Sequence, residues 1–315
     1  MYDGNDVNSR KETAARRKNI MSKTVQAVSV ILVVLLMAGG YWYLTHRVKG
    51  LPAEPNVPGT SSNAPVYPPL APDRTPFGKG SEAGNPNKPG ASAGGPLLRA
   101  GESLEYAVNI AKLNSTIANI KVSVLEQKNS SGKTAWHLQA FAHTENPYRM
   151  IFELDDQFDS YSEPPALDSL QYELHLSERG QKVDSVQRLL TSPNEFAPQG
   201  MSGARVLPGT RDPLGLLQYL RSVDWSKTSE VHSAVYDGRK LYEVRAVLVG
   251  RSETVAVPAG KYNTTKIEIH VKDNGTEMKD AHFLLYLSND AAHTPVLLEA
   301  VLPIATASVE LTKAR

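Results

Sequence analysis

The sequence predicts a mainly β domain: a curved antiparallel meander sheet or partly open barrel with one short covering helix, exported behind an N-terminal transmembrane helix. Three observations predict it. An uncharged apolar run lies near the N-terminus, a Pro/Gly-rich stretch follows it, and from Gly101 onward apolar and polar residues alternate at strand period between turn residues. The division expected is a basic cytoplasmic tail over 1–24, a transmembrane helix over 25–46, a linker over 47–97 and an exported β-rich domain over 98–315.

The anchor comes first. The run from Ala27 to Leu44 carries no charge, and a helix of that length spans about 27 Å, close to the hydrocarbon thickness of a bilayer. Tyr41, Trp42 and Tyr43 gather at its end, where amphipathic rings favour the membrane interface. Arg10, Lys11, Arg16, Arg17, Lys18 and Lys23 precede the run, whereas Arg47 and Lys49 follow it. Basic residues resist translocation, so the N-terminus is expected in the cytoplasm and the rest in the periplasm, as a single-pass protein of the bacterial inner membrane. A cleaved signal peptide shares the charged start, but Leu36 and Ala38 are a poor match to the small-residue cleavage rule.

The linker follows. Between Leu51 and Pro96 lie 11 of the 21 prolines and 7 of the 22 glycines. Such a segment buries too little apolar area to offset its ordering entropy, and as a flexible coil it reaches on the order of 35–40 Å. Pro65-Val66-Tyr67-Pro68-Pro69 is a weak match to a Pro-rich docking motif.

In the exported domain, residues 266–272 alternate cleanly, and Tyr242, Val244, Ala246 and Leu248 form one face of a neighbouring strand. Asp237-Gly238 is expected as a two-residue hairpin turn, with Gly132, Gly260 and Asn274-Gly275 marking others. His282 to Leu287 reads as a more fully buried strand and Pro295 to Leu302 and Ser308 to Leu311 as the last two, and truncation at the final one is expected to expose a sheet edge. About ten strands are expected. Asp212-Pro213 before apolar residues at helical spacing predicts the single helix, with Asp212 as N-cap and Pro213 at the first helical position. That helix either completes a packed core or covers a ligand cavity.

Composition removes several function classes. With 34 basic against 33 acidic residues, no strong positive field draws the chain to nucleic acid. Without cysteine there is no disulfide, thiolate metal site or cysteine nucleophile. No GxSxG, HExxH, Walker or GxGxxG pattern occurs, and no cofactor is expected. His137 and His143 would share one strand face roughly 20 Å apart, too far to share a metal. The densest acidic cluster, Asp155-Asp156-Gln157-Phe158-Asp159-Ser160-Tyr161, offers Asp155, Asp156 and Asp159 as weak ligands for a hard cation. It also fits a solvated turn or strand end with Phe158 and Tyr161 packed inward, and no metal is the expectation. Asn114-Ser115-Thr116, Asn263-Thr264-Thr265 and Asn274-Gly275-Thr276 fit the glycosylation pattern, which matters only in a eukaryotic secretory pathway.

Several motifs fall in order along the domain. They are residues 101–106 (GESLEY), 156–161, Asp212-Pro213-Leu214 with Tyr219-Leu220-Arg221, residues 236–242 (YDGRKLY), residues 257–262 (VPAGKY), and 287–290 with 293–296. In these the chain resembles the bacterial family catalogued as domain of unknown function 3108. The resemblance implies an exported β-rich domain without an assigned activity, its motifs reading as fold signatures. By fold analogy alone it is similar to curved-sheet carriers that move lipoproteins across the periplasm. The expected function is a tethered, non-catalytic binding or envelope-assembly module taking an apolar ligand or an envelope protein. The alternative is an envelope hydrolase with a site near Asp155–Asp159.

Overall fold

A computed structural model describes residues 98–315 except 112, 114, 131, 279–281 and 302–305. The tail, transmembrane helix and linker expected over 1–24, 25–46 and 47–97 lie outside the described residues, and among those described no helix is long and apolar enough to cross a membrane.

Among the described residues, one open, curved sheet of fourteen strands surrounds one α-helix. The first half contributes β1 (Ser103–Ile110), β2 (Thr116–Ser130), β3 (Lys133–Thr144), β4 (Asp155–Glu163), β5 (Asp168–Glu178), β6 (Gln181–Leu190) and the short β7 (Ser202–Arg205). After helix α1 (Pro213–Ser222) come β8 (Glu230–Tyr236), β9 (Leu241–Val257), β10 (Gly260–Asp273), β11 (Thr276–Glu277), β12 (His282–Ser288), β13 (Pro295–Val301) and β14 (Thr306–Ala314). Neighbours run β7-β6-β5-β4-β3-β2-β1-β14-β13-β12-β10-β9-β8, with β11 paired to β10. The strands number fourteen rather than about ten. The inner face of β4 and β5 includes Ser160, Ser162 and Ser169, so polar residues stand where the alternation would require apolar ones.

The hairpin turns follow their residues. Asp273 pairs with Thr276 across Asn274-Gly275, both at positive φ as a tight two-residue hairpin needs. The turn at Asp237 differs from expectation. Residues 237–240 lie between Tyr236 and Leu241, and the Asp237 carboxylate accepts the N–H groups of Arg239 and Lys240, making a four-residue turn held by its first side chain.

The final strand lies inside the sheet, so its removal would expose sheet edges, as expected from the sequence. β14 pairs with β1 on one side and β13 on the other, at the middle of the sheet. The edges are β7 and β8, and the chain between them brings the two ends of the sheet together. Val206 donates to Leu190 of β6, and Ser169 of β5 donates to Thr210. Arg211 exchanges backbone hydrogen bonds with Ala234 and Tyr236 of β8.

Helix α1 lies within the curl of the sheet. The Asp212 carboxylate accepts the N–H groups of Leu214 and Gly215, satisfying donors that have no partner inside the helix. Val223 turns to extended backbone, and the Trp225 indole donates to the Leu220 carbonyl near the other end. Every residue of the helix except Tyr219 and Ser222 is buried. Leu214, Leu216, Leu217 and Leu220 join a core that includes Val108 and Ile120 from the sheet centre, Tyr172 and Leu174 of β5, and Val235 of β8. Each buried leucine contributes about 2 kcal/mol of apolar transfer.

Candidate functional site

Polar groups concentrate in two places, one on each face of the sheet. Inside, they fix α1. Asp212 is fully buried, and burial pushes its carboxyl up against the opposing hydrogen bonds from Ser160, Ser169 and the helix N–H groups. Ser160 and Ser169 donate to Asp212 Oδ2 at 2.5 and 2.6 Å. Arg211 donates twice to the Ala166 carbonyl, at 3.0 and 2.7 Å, and lies 3.7 Å over the Tyr219 ring. At the other end of the helix, buried Arg221 donates to both oxygens of Glu102 at 2.6 and 3.2 Å, to Gln218, and to the carbonyls of Ala292 and His293.

Outside, β3, β4 and β5 set three successive cross-strand rungs: His137, Tyr161 and Gln171; Gln139, Asp159 and Glu173; Phe141, Gln157 and His175. Asp159 is buried at the centre. It accepts His137 Nε2 at 2.6 Å and Gln139 at 2.9 Å on one oxygen, and Gln157 at 2.7 Å on the other. Burial works to raise this carboxyl, yet the three hydrogen bonds outweigh it and hold it below the usual range. Tyr161 stacks on His137 with centroids 4.6 Å apart, and burial, then Glu173 and Asp159, push its hydroxyl up to about 12. Gln171 donates to Glu173 at 2.6 Å. His175 places Nδ1 2.8 Å from Asp184 of β6 and Nε2 3.3 Å from Glu173, and the hydrogen bond with Asp184 leads in raising its pKa.

The three sequence-predicted carboxylates are separated. Asp155 is held by Arg149 at 2.9 Å, which keeps it below the usual range. Strand alternation turns Asp156 to the inner face, where it accepts the Ser177 N–H, and burial followed by the nearby Glu178 raises it. Asp159 alone enters the outer cluster, and Tyr161 lies beside it on the outer face, not inward with Phe158. His137 and His143 occupy β3 three rungs apart, His137 with Asp159 and His143 with Glu145. Reading the sequence missed Glu173 and His175 as neighbours of Asp159. The available signal was the alternation of Gln171, Glu173 and His175 with Tyr172, Leu174 and Leu176, which marks one polar strand face but not its neighbour.

Residues 105–312 match the family described as "Protein of unknown function (DUF3108)". The chain belongs to the DUF3108 family. No curated protein matches it. Among solved structures, a beta-barrel-like protein of domain of unknown function DUF1849 from Brucella abortus is 11% identical with a TM-score of 0.44, covering 68% of this chain and 96% of that one. A candidate lipoprotein from Parabacteroides distasonis is 12% identical with a TM-score of 0.32, covering 70% and 97%. A candidate exported protein with a YmcC-like fold from Bacteroides fragilis is 11% identical with a TM-score of 0.28, covering 70% and 98%. Likenesses of that order define no function. Several motif residues of this DUF3108 chain sit on the inner framework: Glu102 meets Arg221, Asp212 caps α1, and Ala292 and His293 receive Arg221. Asp237 closes the β8–β9 turn, whereas Gln157, Asp159 and Tyr161 of the 156–161 motif lie in the outer cluster.

Proposed function

We propose that this protein is a membrane-tethered periplasmic module of the bacterial envelope that binds or assembles with another envelope component through the outside of its sheet and does no chemistry of its own. The observation that carries this reading is the burial of α1. The concave side, where a carrier of apolar ligands keeps its cavity, is occupied by a helix buried on nearly all sides and clamped at both ends by Asp212 and Arg221. The uncharged run from Ala27 to Leu44, the basic residues before it and the Pro/Gly-rich stretch after it support tethering with the domain on the periplasmic side. Protease added to spheroplasts is expected to remove the C-terminal domain and spare the N-terminal tail. Native mass spectrometry of the full chain, released from detergent, is expected to show no bound lipid. A lipid retained at one per chain would replace this reading with the carrier one.

A second reading, an envelope hydrolase with its site near Asp155–Asp159, draws on the buried His137–Asp159 pair, which has the form of a base held by its orienting carboxylate. A stacked phenol, Tyr161, lies against that imidazole rather than a nucleophilic hydroxyl or thiol. Hydrolysis of an envelope ester or amide by the full chain, lost in Asp159→Asn with folding retained, would establish it.

A further inference from the structure

We propose that the outer face of β3–β6 holds a binding site for a divalent transition cation of the zinc class, with Asp159, Glu173 and His175 as its ligands. One ligand atom from each lies within 4.8 Å of the other two. Ligand atoms sharing a cation at about 2.1 Å stand about 3.4 Å apart, so side-chain adjustment of an ångström or so closes the site.

Three features of the cluster call for a cation. Asp159 and Glu173 face each other directly across β4 and β5, and like charges in that register repel unless something positive lies between them. His175 uses Nδ1 on Asp184, which directs Nε2 at Glu173 across a long 3.3 Å. In the tautomer with its proton on Nδ1, Nε2 would have a lone pair free for a metal ion shared with Glu173. Each ligand also has its outer partner in place: His137, Gln139 and Gln157 on Asp159, Gln171 on Glu173, and Asp184 on His175. Carboxylate–histidine pairing of this kind orients metal-bound imidazoles.

The donor set selects the metal. An imidazole with two carboxylates suits zinc and its neighbours, whereas calcium and magnesium prefer oxygen ligands throughout. Three protein ligands leave at least one coordination position open, and Glu173 and His175 are half-buried, so solvent reaches the site. Protons compete for His175. The other titratable or charged groups on this face of the strands are His137 and His143 on β3, Asp155, Asp159 and Tyr161 on β4, Glu173 on β5, and Lys182, Asp184 and Arg188 on β6.

The test uses the full chain in detergent, stripped with a chelator and titrated with zinc(II) by equilibrium dialysis, with cobalt(II) as the spectroscopic probe. Saturable uptake of one cation per chain is expected, with visible cobalt bands and no displacement by excess calcium or magnesium. Affinity falls as the pH is lowered, because protons compete with the cation for the ligand atoms. His175→Gln and Glu173→Gln each weaken binding at least ~10-fold, and Asp184→Asn, acting through His175, weakens it about 10-fold. His232→Gln, which alters a similar exposed His–Glu pair on β8, leaves affinity unchanged. Circular dichroism without metal checks that each variant folds. A protonated His175 bridging Glu173 and Asp184 would explain the cluster without a metal; in that case no saturable uptake is seen, and the proposal is overturned. Wild-type affinity in the Glu173→Gln/His175→Gln double variant overturns it as well.

Discussion

Gly215 shows how closely the helix is fitted to the sheet. A Cβ there would meet Ser162 Oγ at 2.9 Å, Ser169 Oγ at 3.0 Å and the Leu167 carbonyl at 3.1 Å. Alanine is the better helix former by about 1 kcal/mol, but the same serines are tied into the Asp212 network and have little room to retreat. Gly215→Ala is therefore expected to destabilise the protein by about 1–2 kcal/mol, read as a lower denaturation midpoint. Asp156 carries a pH signature. Burial, with Glu178 beside it, pushes its carboxyl up to about 7, against about 4 in an unfolded chain. A raised acid favours the folded state while protonated, so this contribution is complete below about pH 4 and is lost as pH rises through about 7. Asp156→Asn keeps an acceptor for the Ser177 N–H. The variant is expected to flatten the stability profile across that window and to be more stable near neutrality by on the order of 2 kcal/mol. A profile unchanged by the substitution would refute the assignment. Of the candidate residues, Asp159 was readable because acids were dense around it. Glu173 and His175 were not, because only the register between strands decides which polar faces meet.

Among the elements, α1 and the hairpins were legible and the place of β14 was not. Asp212-Pro213 marks a helix start and Asn274-Gly275 a tight turn through contacts made within a few residues, so local chemistry suffices. The pairing of β1 with β14 joins Leu104 to Ala314 and Ile110 to Ala307, and nothing in either strand announces the other. This enlarges the expected effect of truncation, because β14 has a partner on each side. Deleting residues 306–315 strips β1 and β13 of their shared neighbour in the middle of the sheet. It is expected to abolish cooperative unfolding, whereas deleting the four residues of edge strand β7 leaves a cooperative transition. Circular dichroism melts of the two deletions distinguish these outcomes.

For the molecule as a whole, the sheet curls around its helix, and residues 206–212 bridge β5 and β6 to β8. The sequence predicted the class and the curl but could not choose between a filled and a hollow interior, since apolar residues on a helix suit both. The burial of every residue of α1 except Tyr219 and Ser222 favours the filled one. Contacts between such distant parts of the chain make loop closure costly, so refolding of the full chain in detergent is expected on a scale of seconds or slower, against milliseconds for helical proteins of similar size. Stopped-flow fluorescence of Trp136 and Trp225 reads it. The meeting of β1 and β14 also imposes an order of events on synthesis. A chain leaving a ribosome or threading a membrane pore N-terminus first presents β1 early and β14 after every other strand described, so β1 and β13 lack their shared neighbour until β14 emerges. The domain therefore locks only when β14 arrives.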